Sequence, residues 1–393
     1  VTLRAGSVLA QRYRADELLG RGGMGEVWRC LDLEQGRDVA VKAVRAELLA
    51  DTTAARLFHA EVVAVARLSH AGIVPVYDLA RDDDGAALLV MEYRRGQSLA
   101  SFVRLRPAWP IVRDVLSQLL EALAYAHARG VLHLDIKPEN VVVELDGGAP
   151  FGPRVVVGAS TPRDMRSAPT ERALTGGKEP EPLLRATLVD FGIARVRRPG
   201  LGVERWTEGG AVVGTVEYMA PEQFTGNVER LGPWTDLYSI GVLAYELCSG
   251  KRPFPDAEPV QAAVMRLGSN APRLVPRTND VPTAFLDLVA DLLETHPKDR
   301  PFCAADVLDA LREIGLTRAF ASARSSDADE VSERREMLET VLSDSFDLPP
   351  PGAHLAAARA QHGLRSGAYV RRGAGASGGR APRSGGIRLV RIA

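Results

Sequence analysis

The chain has 393 residues, 46% of them hydrophobic and 25% charged, with a net charge of −1. That balance suits a globular protein with a sizeable core and supplies no global field that would draw nucleic acid or an anionic membrane. The three cysteines, Cys30, Cys248 and Cys303, lie far apart with no CxxC pair, which argues against a disulfide framework or a zinc site and for a reducing compartment. The N-terminal stretch lacks a signal-peptide core, and no run of about 18 apolar residues occurs, so a cytoplasmic or peripherally attached protein is expected.

From Tyr13 to Tyr93 the pattern reads as strands with one helix between them. YRADELLGRGGMGEVWRCLDL predicts two strands joined by a glycine-rich turn, DVAVKAV a strand centred on Lys42, and AALLVMEY another. Thr53 to Leu68 carries apolar residues at helical spacing. From Leu99 onward long helical patterns take over, such as IVRDVLSQLLEALAYAHARG, which stops at Gly130. Residues 146–184 are rich in Gly, Pro, Thr and Arg without a period and read as a loop, unusually long for the inside of a domain. Residues 327–344 predict an isolated amphipathic helix. From Pro349 to Ala393 there is no Asp or Glu, and Arg recurs among Gly, Ala and Ser. That composition cannot bury enough apolar surface to offset its ordering entropy, so disorder is expected there.

Gly20, Gly22 and Gly25 form G-x-G-x-x-G, followed by Val27. Glycines let backbone N–H groups approach phosphate oxygens closely. The same spacing serves plain hairpin turns and dinucleotide sites, although here the glycines precede a strand and not a helix. Lys42 sits among apolar strand neighbours, so its ammonium needs a partner; Glu61 on the next helix is the candidate. LVDFGIA puts Asp190 at the end of an apolar strand. Asp190 and Asn140 together offer a carboxylate and an amide oxygen, the ligands a hard cation such as Mg²⁺ prefers. Each motif alone also fits surface charges or a turn.

Taken in order, these motifs resemble the protein-kinase signature set. They are Gly20-x-Gly22-x-x-Gly25, Lys42, Glu61, His133-Leu134-Asp135, Lys137, Asn140, Asp190-Phe191-Gly192 and Ala220-Pro221-Glu222. GTVEYMAPEQ, DLYSIGV and HPKDRP add three further blocks. DIKPEN, DFGIAR and YMAPEQ are similar to those of the eukaryotic-like (Hanks-type) Ser/Thr kinases of bacteria. The resemblance covers residues 12–317, with a small lobe at about 12–93, a larger lobe at about 94–317, and the tail at 318–393. It implies an α+β bilobal fold: a small antiparallel sheet plus one helix, then a mainly helical lobe. It also implies ATP and Mg²⁺ as cofactors and protein Ser/Thr hydroxyls as substrates. Lys42, oriented by Glu61, would hold the α- and β-phosphates. Asn140 and Asp190 would bind Mg²⁺. Asp135 would accept the hydroxyl proton, and Lys137 would neutralise charge on the γ-phosphate. Val27 and Ala40 would roof the adenine and Val142 floor it. Met91 would be the gatekeeper, with Glu92 to Arg94 as the hinge. Arg300 would pair with Glu222. Thr215 would face Asp135, and Lys137 and Thr215 speak for Ser/Thr over Tyr.

One residue departs from the family pattern. The usual H-R-D arginine, which often binds a phosphate on the activation segment, is Leu134 here. Lys42, Asp135 and Asp190 are retained, so the expectation is a competent kinase under altered control, with a nucleotide-binding pseudokinase scaffold as the alternative. Thr207 is the expected phosphosite, with Arg195, Arg197, Arg198 and Arg205 either cradling its phosphate or simply solvated. Ser160, Thr161, Ser167 and Thr170 in the long insertion are candidates for autophosphorylation, or the loop is passive. The Arg-rich tail either contacts acidic partners, a membrane surface or nucleic acid by charge, or is only solvated; no specific nucleic acid is expected, and a monomer and a dimer are both open.

Overall fold

A computed structural model of the chain describes residues 3–322 apart from 23–24, 46–48, 50–51, 84, 106, 146–183, 192–215, 226 and 255–258. The chain divides into two units, Val1–Asp347 and Leu348–Ala393, and everything described lies in the first. The helix expected over 327–344, the tail beyond Ser322, most of the long insertion, Gly192, Thr207, Thr215 and the arginines around Thr207 lie outside the described residues.

Six strands form an antiparallel sheet in the order β1-β2-β3-β4-β6-β5. They are β1 (Val8–Leu9), β2 (Tyr13–Gly22), β3 (Gly25–Asp32), β4 (Arg37–Val44), β5 (Val76–Arg81) and β6 (Ala87–Glu92), with helix α1 (Thr52–Ala66) between β4 and β5. β4 is apolar on both sides because both sides are covered. Val39 and Val41 pack with Trp28, Cys30, Leu88 and Val90, whereas Ala40 and Val44 join Leu89, Met91 and the α1 residues Phe58, Val62 and Val65. Side chains alternate along a strand and cross-strand partners share a face. Ala40 pairs with Met91 and Lys42 with Val27 and Leu89, so Val27, Ala40, Lys42 and Met91 lie on one face, the same face as α1.

The rest is mainly helical. A short sheet of β7 (Gln97–Ser98), β8 (Val141–Leu145) and β9 (Leu184–Leu188) lies beside helices α2 (Leu99–Leu105) and α3 (Trp109–His127). These are followed by α4 (Pro233–Ser249), α5 (Pro259–Gly268), α6 (Thr283–Leu292) and α7 (Ala304–Ser322). Pro110 in the first turn of α3 starts the helix where no N–H is missed. Its apolar face, Ile111, Val112, Val115, Leu116, Leu119, Leu120 and Leu123, is buried at three- and four-residue spacing. Each such Leu or Val contributes about 1.5–3 kcal/mol relative to exposure. Gly130 closes the helix at φ 71°, with the Val131 N–H on the Ala126 carbonyl.

α4 is buried almost all round, including Thr235, Asp236 and Ser239, so each of these polar groups must be satisfied within the protein. The three cysteines are free thiols. Burial pushes Cys30 and Cys248 up to about 12, which makes them inert packing residues. No helix among the described residues is long and apolar enough to cross a membrane.

Candidate active site

The site is built where the face of the small sheet carrying Lys42 meets the turn between α3 and β8 and the end of β9. Lys42 is buried, and its ammonium is hydrogen-bonded to the carboxylate of Asp190. That bond joins β4 of one lobe to the end of β9 in the other. Glu61 is half-buried on α1.

The turn itself is cross-braced. The Asn140 amide donates to the Asp135 carbonyl at 2.8 Å and to Asp135 Oδ2 at 3.0 Å. Lys137 Nζ lies 3.2 Å from the same Oδ2. The Val189 N–H donates to the Asn140 carbonyl at 2.9 Å, which sets Asp190 one residue from a fixed contact with Asn140. Asp135, Lys137, Asn140, Asp190 and Lys42 are thus held in one linked group.

The donor set fits a magnesium ion. The Asn140 nitrogen is committed to Asp135, so the amide oxygen is the atom it can offer, and Asp190 adds a carboxylate. Hard oxygen ligands of this kind suit Mg²⁺, which keeps several waters and takes only one or two protein ligands.

Underneath, one buried carboxylate organises the backbone. Asp236 of α4 accepts from the His133 N–H at 2.8 Å and the Leu134 N–H at 2.7 Å. His127 Nε2 lies 2.8 Å from it as well. Burial pushes the Asp236 carboxyl up, but the hydrogen bond and charge of His127, with the His133 contacts, outweigh this and hold it below the usual carboxylate range. His133 is buried against the Phe191 ring at 4.4 Å, and its own titration is pushed down by that burial.

Leu134 is buried and has φ 60°; Asp190 has φ 59°. A bulky residue with positive φ is strained by about 1–3 kcal/mol and persists only where its surroundings hold it. Both polar groups of Leu134 are held. Its N–H meets Asp236, and its carbonyl accepts from Gln223 Nε2 at 3.0 Å.

The other expected residues fall around this group. Val27 packs against the main core, Ala40 and Met91 are buried within it, and Val142 is half-buried on β8. Gly20, Gly22 and Gly25 lie at the facing ends of β2 and β3, with Gly22 paired to Gly25. Glu92 ends β6, and Arg94 pairs with it at 3.1 Å and with Glu144 of β8 at 3.6 Å, so this ion-pair chain ties the crossing between the lobes. Arg300 holds Glu222 as expected, with bonds of 2.8 and 3.0 Å.

Sequence reasoning assigned no role to Asp236 or Gln223. An acid near the start of a largely apolar helix was a usable sign for Asp236, because a buried carboxylate must have partners. Gln223 closes the YMAPEQ block that carries the resemblance, but nothing in the sequence pointed to its partners.

A family model described as the protein kinase domain matches residues 13–310. Among curated proteins, the chain is 34% identical to the serine/threonine-protein kinase pkn3 of Myxococcus xanthus over 319 residues, covering 80% of this chain and 52% of that protein. It is 31% identical over 321 residues to the serine/threonine-protein kinase PknA of Mycobacterium tuberculosis, covering 80% and 64%. The chain therefore spans between about half and two thirds of the length of these relatives. The crystal structure of the Mycobacterium tuberculosis PknI kinase domain superposes with a TM-score of 0.55 at 24% identity, covering 80% of this chain and 100% of that one, a likeness of fold.

Proposed function

The chain belongs to the protein kinase family, and from that membership we propose that it transfers the γ-phosphate of ATP to serine and threonine hydroxyls of proteins. Supporting the acceptor class, its curated relatives are named serine/threonine kinases. The observation that carries the reading is the linked group itself. A carboxylate, Asp135, is fixed by Asn140 and approached by Lys137 at 3.2 Å, beside a lysine–aspartate bond across the lobes.

In this reading Asp135 accepts the proton of the acceptor hydroxyl and aims its oxygen, and Lys137 counters negative charge next to it. Asn140 and Asp190 would hold Mg²⁺, which when bound neutralises the developing phosphate charge. Lys42, already against Asp190, reaches toward the phosphates and is oriented by Glu61. Gly20, Gly22 and Gly25 offer backbone N–H groups. Val27, Ala40 and Val142 sandwich the adenine, with Met91 behind it and the Glu92–Arg94 backbone along its edge. The proposed catalytic domain is 12–317, interrupted by the insertion at about 146–184 and followed by the tail from 318. Dependence on the cellular ATP pool puts the activity in the cytoplasm.

Leu134 cannot pair with a phosphate. We therefore expect only partial dependence on Thr207 phosphorylation, and near-total loss of activity in a Thr207→Ala protein would contradict this. Leu134 also motivates the second reading, a nucleotide-binding scaffold without transfer. The deciding experiment is transfer of labelled γ-phosphate from Mg·ATP to a generic acceptor protein, by wild type and by Asp135→Asn. Label on Ser or Thr with wild type, falling about 10²–10⁴-fold in the variant, supports the enzyme. Bound ATP with no label from either favours the scaffold.

A further inference from the structure

The two arms of the site, the turn bearing Asp135 and the segment from Tyr218 to Thr225, are each anchored to α4. Asp236 holds the first through the His133 and Leu134 N–H groups. Thr235 holds the second by donating to Glu222 Oε1 at 2.8 Å, and Ser239 by donating to the Tyr218 carbonyl at 2.8 Å. Among the described residues, Gln223 braces one arm directly against the other. Gln223 accepts from the Ala220 N–H through Oε1 at 2.8 Å and donates through Nε2 to the Leu134 carbonyl at 3.0 Å. Its single amide therefore spans from the backbone of residue 220 to the strained residue just before Asp135.

We propose that Gln223 is a positioning residue that fixes the Asp135 turn against the 218–225 segment by holding the carbonyl of the strained Leu134. This rests on the kinase reading above. Leu134 is held at a positive φ by partners on both its N–H and its carbonyl, and Gln223 is the partner on the carbonyl side. A primary amide can accept and donate at once, which neither a carboxylate nor an apolar side chain of similar size can do. The brace is neutral and internal, so it requires no modification to form.

The test compares Gln223→Leu and Gln223→Glu with wild type. For both we expect kcat to fall about tenfold, with KM for ATP within about twofold, because Lys42 and Asp190 are untouched. Gln223→Glu keeps the acceptor and loses the donor. Protonating that carboxylate restores a donor toward the Leu134 carbonyl. Its kcat relative to wild type should therefore climb as pH is lowered from about 8 to about 5.5, while the ratio for Gln223→Leu stays flat. A second readout needs no catalysis. Amide exchange at Leu134 and Asp135 in the nucleotide-free protein should quicken about tenfold in Gln223→Leu, with other core amides unchanged. Two variants with kcat within twofold of wild type, or parallel pH ratios, would overturn the proposal. If wild type transfers no phosphate, the kinase reading fails, and exchange alone decides. Unchanged protection at 134 and 135 then sinks the brace.

Discussion

Arg300 grips Glu222 through two hydrogen bonds, Nη1 to Oε1 at 2.8 Å and Nη2 to Oε2 at 3.0 Å, with both side chains out of solvent. The guanidinium also donates to the carbonyls of Glu294, Thr295 and Trp234 and lies 4.7 Å over the Tyr238 ring. Removing one partner of a buried pair strands the other charge, which costs about 3–5 kcal/mol. Arg300→Ala should lower the unfolding free energy by that amount in a urea titration. Replacing both partners by apolar residues, Arg300→Met with Glu222→Leu, should recover most of the loss. A single variant as stable as wild type would show that the pair contributes nothing.

The three glycines of the G-x-G-x-x-G turn are expected to separate by experiment. A methyl group on Gly25 would lie 1.9 Å from the Ala43 carbonyl oxygen, at φ 147°, whereas at Gly20 and Gly22 it meets nothing within 4 Å. Gly25→Ala should therefore pry β3 from β4 and cost on the order of 2–4 kcal/mol. Gly20→Ala and Gly22→Ala should leave the thermal midpoint within about 2 °C and raise KM for ATP a few-fold. Equal melting of all three variants would contradict the division.

Stability should weaken on mild acidification, and His133 is one reason. Burial holds its imidazole below the ordinary range, against the pull of Asp236, Asp135 and Asp190 and of the Val189 carbonyl. The unfolded chain then takes up a proton first, near pH 6.5. The stability is complete above that value and drains away as pH falls toward the lowered native value. His70, also lowered by burial, acts with the same sign. Asp236 adds its own loss only further down, below about pH 4. His133→Phe should flatten the change in urea midpoint between about pH 7 and 5.5. Parallel curves for variant and wild type would exclude this role.

The turn from β1 to β2 offers a gain in stability. Ala10 and Gln11 have φ 45° and 56°, and the Arg12 N–H reaches back to the Leu9 carbonyl. Two successive positive φ values suit Asn-Gly and strain Ala-Gln. The double change Ala10→Asn with Gln11→Gly keeps the Ala10 backbone bond to Asp82 and should add roughly 0.4–1 kcal/mol. Differential scanning calorimetry of the double variant would show a raised midpoint, and a lowered one would refute the assignment.

Much of this architecture was legible because periodicity and motif spacing carry it. The strands around Lys42, the helix after it and the long helix ending at Gly130 all follow from alternation or helical spacing. β1 and β5 did not show, because two residues carry no period and VYDLAR is only partly buried. Lys42 was expected to need a partner, and the structure shows it on Asp190, a contact between residues 148 positions apart that no local pattern encodes. Glu61 remains its proposed orienting group. Leu134 could be read as an unusual identity, but not as a strained one, since φ is fixed by Asp236 and Gln223 from distant segments.

β8 and β9 are paired from Val141 with Leu188 to Leu145 with Leu184. Residues 145 and 184 thus lie side by side at the ends of adjacent strands. With exit and entry side by side, the entropic cost of whatever joins them grows only with the logarithm of its length, about 0.6 kcal/mol per doubling. The hairpin is a docking port in the engineering sense. A folded reporter whose own termini lie close together could replace residues 146–183, and the strands on either side would continue to position the lobe's reactive groups.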